Sequence, residues 1–383
     1  MEDWKIPLYK IYTDDEDVKI VNNVIKRGSR WAIGPEVAEF ENLIKNYVGT
    51  DYCVSVNSGT SALHATLLAY EIGNNDEVII PSFSFISTAN SILFVNGTPI
   101  FSDIEQDHFG LDPNLLLDKI TSNTKAIMPM DYAGQSCKIN DIKEIAQEKN
   151  LLLIEDAAEG LGSSVKGKKV GSLSDSAIFS FTGNKVLTMG EGGAIVTNSK
   201  EIFEKLQLIR SHGRLDTTNY FDNPFSSEYL TVGYNWRMPT IVAALGIAQM
   251  NKIDKIIKMR QALATHYSKR ISKHSDILIP LQNSSYDHIY QMYTILLPNS
   301  SIRQNLQKFL ASKRIFSKIY FPPIHLTKFY QKHFNLKNIE LPVTEKISQQ
   351  VLTLPLYPNM SMEERDYLLD AIDEFFEIKI DSK

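Results

Sequence analysis

From Tyr52 onward, short apolar runs alternate with amphipathic segments of helical spacing, and this alternation restricts the fold more than any other property of the chain. The runs Val54–Val56, Val78–Ile80, Pro99–Phe101, Ala126–Met128, Leu151–Ile154, Ala177–Phe179 and Ala194–Val196 predict strands. Segments near 60–72, 86–95, 140–149 and 200–210 predict the helices between them. The runs are apolar at consecutive positions, as strands covered on both faces are. Strand and helix in strict alternation predict an α/β fold, a mostly parallel central sheet between helices. Two earlier helices are expected at 14–27 and 36–48, the second entered through Gly34-Pro35 with proline in its first turn. After Gly233-Tyr234-Asn235-Trp236-Arg237-Met238-Pro239 the pattern changes. Residues 240–273 read as one long helix, followed by a strand at Tyr293–Leu297 and helices at 301–312, 344–351 and 361–376. The expected division is a large α/β domain over 1–245, then a connecting helix and a small α+β domain over 246–383.

Charge narrows the functional classes. Forty Lys and Arg against 45 Asp and Glu give a net charge of −5, which argues against a dedicated nucleic-acid binder. Cys53 and Cys137 lie far apart without a CxxC pairing, and the eight histidines form no HxxxH cluster, so no metal is expected. There is no apolar stretch approaching 18 residues and no signal-like N-terminus, so no membrane association and a cytoplasmic location are expected.

Two polar residues stand just beyond predicted buried strands. Asp156 follows Leu151-Leu152-Leu153-Ile154-Glu155, at the sheet edge where open α/β folds bind ligands. A carboxylate there beside a cation would have its pKa lowered, and it could equally be a helix cap. Lys185 lies in Ser180-Phe181-Thr182-Gly183-Asn184-Lys185, ahead of the stretch Gly190-Glu191-Gly192-Gly193. Most lysines are solvated surface residues, but the small residues around this one suit a partly desolvated, cation-flanked amine that is nucleophilic near neutrality. A lysine and a carboxylate so placed are what a pyridoxal phosphate (PLP) site needs, the amine to form a Schiff base and the acid to hold the pyridine nitrogen protonated. Asn57-Ser58-Gly59-Thr60 opens a helix after a strand, either a phosphate seat or an ordinary cap. In Pro81-Ser82-Phe83-Ser84-Phe85 an aromatic could stack on a flat heterocycle, or both rings could be core.

Together with Gly34-Pro35-Glu36-Val37, Phe40-Glu41, Glu155-Asp156-Ala157-Ala158-Glu159 and Gly233–Met238, these segments resemble the DegT/DnrJ/EryC1/StrS family of PLP-dependent nucleotide-sugar aminotransferases, of aspartate-aminotransferase fold (fold type I). The resemblance covers nearly the whole chain. It implies that Lys185 binds the cofactor covalently and shuttles a proton, and that Asp156 pairs with the ring nitrogen. It further implies that Phe85 stacks on the ring, that Glu159 lies near the ring hydroxyl, and that Gly59, Thr60 and Ser180, with Ser58 beside them, seat the phosphate. Asn235 would reach the phosphate from a neighbouring subunit, which implies a homodimer with shared active sites. The substrates implied are L-glutamate and a nucleotide-linked 4-keto-6-deoxyhexose, as in GDP-perosamine synthases. A UDP- or dTDP-linked keto sugar aminated at C3 or C4 is the alternative. Arg237, Tyr320 and His325 are candidate substrate contacts, and Arg237 and Arg214 candidate anchors for a carboxylate or diphosphate. The arginines could equally form structural ion pairs, and Tyr320 and His325 could pack their loop.

Three other activities fit less well. A dehydratase of the same fold carries histidine in place of the lysine. A non-catalytic sensor on this fold has no DNA-binding appendage here to act through. A dinucleotide-dependent oxidoreductase needs a GxGxxG turn, which Asn57-Ser58-Gly59-Thr60-Ser61-Ala62 does not supply.

Overall fold

The computed structural model describes residues 4–214, 228–281, 283–334 and 339–381. Each predicted apolar run forms a strand: β1 (Tyr52–Val56), β2 (Glu77–Pro81), β3 (Thr98–Ser102), β4 (Thr124–Ile127) and β5 (Leu152–Asp156). A two-residue pair, β6 (Ser164–Val165) and β7 (Lys168–Lys169), precedes β8 (Ser176–Ser180) and β9 (Gly193–Thr197). Seven of these make one sheet in the order β1-β9-β8-β5-β4-β2-β3. The β2, β3, β4, β5 and β8 pairings are parallel, whereas β9 runs antiparallel to both β1 and β8. The chain between β8 and β9 holds no crossover helix, so the strand must return in the opposite direction.

Both faces of the sheet are covered, as the continuous apolarity of the strands requires. Along β8, Ala177 and Phe179 join the cluster built on Phe40, Ile44, Ala243 and Ile247, while Ile178 points the other way into the cluster of Ala62, Leu63 and Leu206. Period-two alternation thus feeds two cores from one strand. Ile79, Ile127 and Leu153 support a further core under Ile139, Ile142 and Ala146. The helices come from local signals. Asp14 caps Asp15–Arg27 in a capping box, and Pro35 opens Pro35–Val48.

The expected single helix over 240–273 is two helices, Thr240–Met250 and Ile253–Ile271. Lys252 leaves helical geometry at the break, and its Nζ pairs with Asp14 at 2.5 Å and Asp17 at 2.6 Å. A tertiary ion pair overrides continuous helical spacing there.

Strand β10 (Tyr286–Asp287) pairs with β6, and β11 (Tyr293–Leu296) pairs antiparallel with β12 (Val351–Leu354). The β11–β12 pair rests on a core of Tyr267, Leu306, Leu310, Leu368 and Ile372. Ile6 is buried in that same core and bridges to Ile315, so the N-terminal segment packs with the C-terminal part of the chain. Among the described residues, no helix is long and apolar enough to cross a membrane.

Candidate active site

A cavity of about 340 Å³ opens at the carboxyl ends of β1, β2, β5 and β8, within the roughly 300–1,000 Å³ of small-molecule sites. Ser58, Gly59, Thr60, Phe85, Asp156, Glu159, Ser180, Lys185 and Tyr320 all line it. Ser58, Gly59, Thr60, Phe85, Asp156, Glu159, Ser180 and Lys185 converge because they lie at or after strands that end at the same edge, and Tyr320 reaches the cavity from the loop after the helix Ser300–Ser312.

Asp156 is the last residue of β5, with its carboxylate 3% exposed. Thr88 donates to its Oδ2 at 2.7 Å, and Ala158 N–H donates to Oδ1 at 3.3 Å. No helix follows it, so the cap alternative does not apply. Burial pushes the Asp156 carboxyl above its ordinary range, opposed by the Thr88 hydroxyl, the Ala158 N–H and the charge of Lys185. The lowered pKa expected from the sequence is therefore reversed in sign, because desolvation outweighs these partners.

Lys185 Nζ lies 3.1 Å from Glu159 Oε1, and Glu159 Oε2 accepts from Ala133 N–H at 2.9 Å. The charged group in contact with the lysine is a carboxylate, not the cation that the sequence suggested. Gln291 fixes the lysine's backbone from both sides: its Oε1 accepts from Val186 N–H and its Nε2 donates to Asn184 carbonyl O, each at 2.7 Å.

The seat at Ser58-Gly59-Thr60 is both cap and cradle. Ser58 Oγ accepts from Ser61 N–H at 3.1 Å, while Thr60 Oγ1 is 2.9 Å from Ser87 Oγ. A Cβ on Gly59 would meet Ser180 Cβ at 2.8 Å, so glycine is what leaves this helix start open against Ser180. Phe83 is core, and Phe85 stands half-exposed at the rim, 6.3 Å from Phe321. The Tyr320 hydroxyl is pushed up to about 12 by burial and by Glu159.

Four proposed residues lie outside this cavity. His325 is buried; its Nδ1 is 2.7 Å from Ser82 Oγ and its Nε2 3.3 Å from Glu345, so the ring pins the loop after Phe321 to β2. Arg237 is half-buried and donates to Ser211 Oγ at 3.2 Å, and Arg214 is buried. Asn235 is exposed, beside Trp236 whose carbonyl accepts from Asn57 N–H. Sequence reasoning missed Ser84, Ser87, Thr88, Lys318 and Phe321, which line the cavity, and Ala133 and Gln291, which hold its residues. Only Ser87 and Thr88 carried a signal, as polar residues at a helix start.

A buried carboxylate, a half-hidden amine and a glycine cradle with hydroxyl donors form a donor set that fits PLP. The sequence profile of the DegT/DnrJ/EryC1/StrS aminotransferase family matches residues 12–373. The chain belongs to this family. It is a PLP-dependent sugar aminotransferase with the aspartate-aminotransferase fold. It is 36% identical over 346 residues to the GDP-perosamine synthase of Caulobacter vibrioides, covering 90% of this chain and 91% of that one. Helicobacter pylori PseC, an aminotransferase involved in the biosynthesis of pseudoaminic acid, superposes with a TM-score of 0.90 at 28% identity, over 97% of this chain and 99% of PseC. Bacillus subtilis NtdA, solved with bound cofactor PMP, gives a TM-score of 0.88 at 27% identity, over 98% of this chain and 86% of NtdA.

Proposed function

We propose that this family member moves the amino group of L-glutamate to C4 of a nucleotide-linked 4-keto-6-deoxyhexose, as a GDP-perosamine synthase does. The observation that carries this reading is the convergence of Lys185, Asp156 and Glu159 on one cavity beside the Ser58–Thr60 seat, in a chain 36% identical to such a synthase.

In this reading Lys185 would hold PLP covalently through Nζ, and Asp156 would face the ring nitrogen. Gly59, Thr60 and Ser180 would seat the phosphate, with Ser58 capping the same helix start. Phe85 would cover one ring face. When bound, PLP supplies an electron-poor ring that stabilises the electron pair left as a substrate α-proton departs. Asp156, ionised, keeps a proton on the ring nitrogen. Lys185 takes and returns the substrate proton at Nζ, with Glu159 holding that nitrogen in place at 3.1 Å. Tyr320, half-buried and un-ionised at neutral pH, can donate to a sugar oxygen at the cavity wall.

The same reading covers assembly. Asn235 is exposed outside its own cavity, next to an apolar strip of Tyr229, Leu230 and Val232, of which Val232 is 84% exposed. A second copy docked on that strip would bury it and bring Asn235 to the partner's phosphate seat, as a homodimer with shared sites requires. The large domain is assigned to 1–245 and the small one to 246–383, and the location to the cytoplasm.

Likeness to PseC, an aminotransferase involved in the biosynthesis of pseudoaminic acid, favours one second reading: a UDP- or dTDP-linked keto sugar aminated at C3 or C4. Incubation with ¹⁵N-glutamate and a panel of GDP-, UDP- and dTDP-linked keto sugars decides between them. Label at C4 of the GDP sugar is expected. Inert GDP-4-keto-6-deoxymannose beside a labelled UDP or dTDP product would replace the first reading with the second.

A further inference from the structure

The helix Ile86–Phe94 places its first turn under the cavity, with Phe85 as its N-cap residue and Ser87 bonded to Thr60 at 2.9 Å. Thr88, in that same turn, is 1% exposed and joins Ser84, 2% exposed, to Asp156, 3% exposed. Ser84 Oγ to Thr88 Oγ1 is 2.6 Å, and Thr88 Oγ1 to Asp156 Oδ2 is 2.7 Å.

The direction of this chain follows from counting protons. An ionised carboxylate can only accept, and a threonine hydroxyl has one proton. Thr88 therefore spends its proton on Asp156, and Ser84 must donate to the oxygen of Thr88. Polarised by Ser84, the Thr88 hydroxyl becomes a better donor to the carboxylate. Ser91 Oγ donates to the Thr88 carbonyl at 2.9 Å and anchors that turn. The backbone of Asp156 is fixed on both sides, its N–H donating to Pro129 and its carbonyl accepting from Asp131. What remains is the carboxylate's rotation and its charge, on which Thr88 at 2.7 Å acts more closely than the Ala158 N–H at 3.3 Å.

We infer that Thr88, backed by Ser84, is a positioning residue that orients the Asp156 carboxylate toward the cavity and keeps it ionised for the cofactor ring nitrogen. This rests on the assignment of Asp156 as the ring-nitrogen partner. Burial drives that carboxyl toward its neutral form, and the Thr88 hydroxyl is the foremost group opposing it. A neutral Asp156 would present the ring nitrogen with a competing donor in place of an acceptor. The hydroxyl of Thr88, not its shape, is thus the requirement.

Thr88→Val keeps the branched shape and deletes the hydroxyl, Thr88→Ser restores it, and Ser84→Ala deletes the backing donor. PLP affinity of each apoenzyme is measured by equilibrium dialysis from pH 5 to 9, alongside the absorbance of the bound cofactor. Tight binding that needs ionised Asp156 should fail on the acid side. Thr88→Val is expected to move that acid limb up by about one pH unit, and to weaken PLP binding about tenfold near its midpoint. Thr88→Ser should bind within about twofold of wild type, and Ser84→Ala should weaken binding about two- to threefold, with a smaller shift of the same sign. Unchanged affinity and an unmoved acid limb in Thr88→Val would overturn the inference. If that variant does not fold, Ser84→Ala decides by the same two readouts. Wild type that binds PLP with no pH-dependent limb, or takes no borohydride-stable mass on Lys185, would count against the underlying site assignment instead.

Discussion

Glu159 stands between the backbone of Ala133 and the side chain of Lys185, accepting from both at 2.9 and 3.1 Å. The two charged side chains are mostly buried, 3% and 12% exposed, so the pair is shielded far more than a surface ion pair. Glu159→Gln can keep only one of the two contacts, and an amide oxygen retained on Ala133 turns NH2 toward the ammonium. Removing one partner of a buried pair leaves the other charge uncompensated. Because the cavity admits solvent to Lys185, the expected loss is about 1–3 kcal/mol of apoenzyme stability. Urea unfolding measures it, and a variant as stable as wild type would show that the pair contributes nothing.

Gly59 faces Ser180 so closely that an added Cβ would sit 2.8 Å from Ser180 Cβ and 3.1 Å from its Oγ. The hydroxyl can turn away but the Ser180 Cβ is fixed by its backbone, so Gly59→Ala must displace the helix start or β8. If Gly59 and Ser180 seat the phosphate, PLP affinity should fall at least about tenfold, the scale of one lost charge-assisted contact. Affinity for pyridoxal, which has no phosphate, should hardly change. Equal losses for both ligands would remove the phosphate from this position.

Asp131 is fully buried; its Oδ1 accepts from Cys137 N–H at 2.9 Å, and its Oδ2 has no hydrogen-bond partner among the described residues. Burial, with Asp156 nearby, pushes its carboxyl up to about 7. Its folded value lies above the ordinary value near 3.9, so the folded protein holds a proton that the unfolded chain releases. This stabilisation is complete below about pH 4 and is lost as pH rises through about 7. Asp131→Asn imitates the neutral acid at every pH. Its urea midpoint relative to wild type should therefore rise between pH 5 and pH 8. Parallel pH dependences for the two proteins would show that Asp131 is ionised throughout.

The fold was legible because it is written in local signals. Apolar runs gave seven strands, and the residues directly after them were brought together by the sheet edge alone, so Ser58–Thr60, Asp156, Ser180 and Lys185 needed no tertiary knowledge. What stayed hidden depends on partners distant in the chain. Thr88 meets Asp156 across 68 positions, and Gln291 meets Asn184 across 107. Thr88 stands out only as a polar residue at a helix start, and Gln291 has no unusual neighbourhood in sequence. The break at Lys252 arises from Asp14 and Asp17, more than 230 positions away, against a helical pattern that runs straight through it. For His325 the sequence leaves open a sugar contact or a packed loop, and Ser82 and Glu345, distant in the chain, occupy both ring nitrogens. The sign of the Asp156 shift was missed because a strand-end carboxylate was credited with a cation and not charged with its desolvation.

Asn235 offers the sharpest test of assembly, since it is exposed and lies outside the cavity of its own chain. Asn235→Ala and Lys185→Ala should each be nearly inactive when PLP is limiting. In a shared-site dimer, a mixed pair has one site that combines the intact Lys185 of one chain with the intact Asn235 of the other. Random subunit exchange makes about half of the dimers mixed, so about a quarter of wild-type sites should return. If each chain used its own Asn235, every site in the mixture would still lack one group. Exchange verified by mass spectrometry, with no recovered activity, would therefore confine each active site to a single subunit.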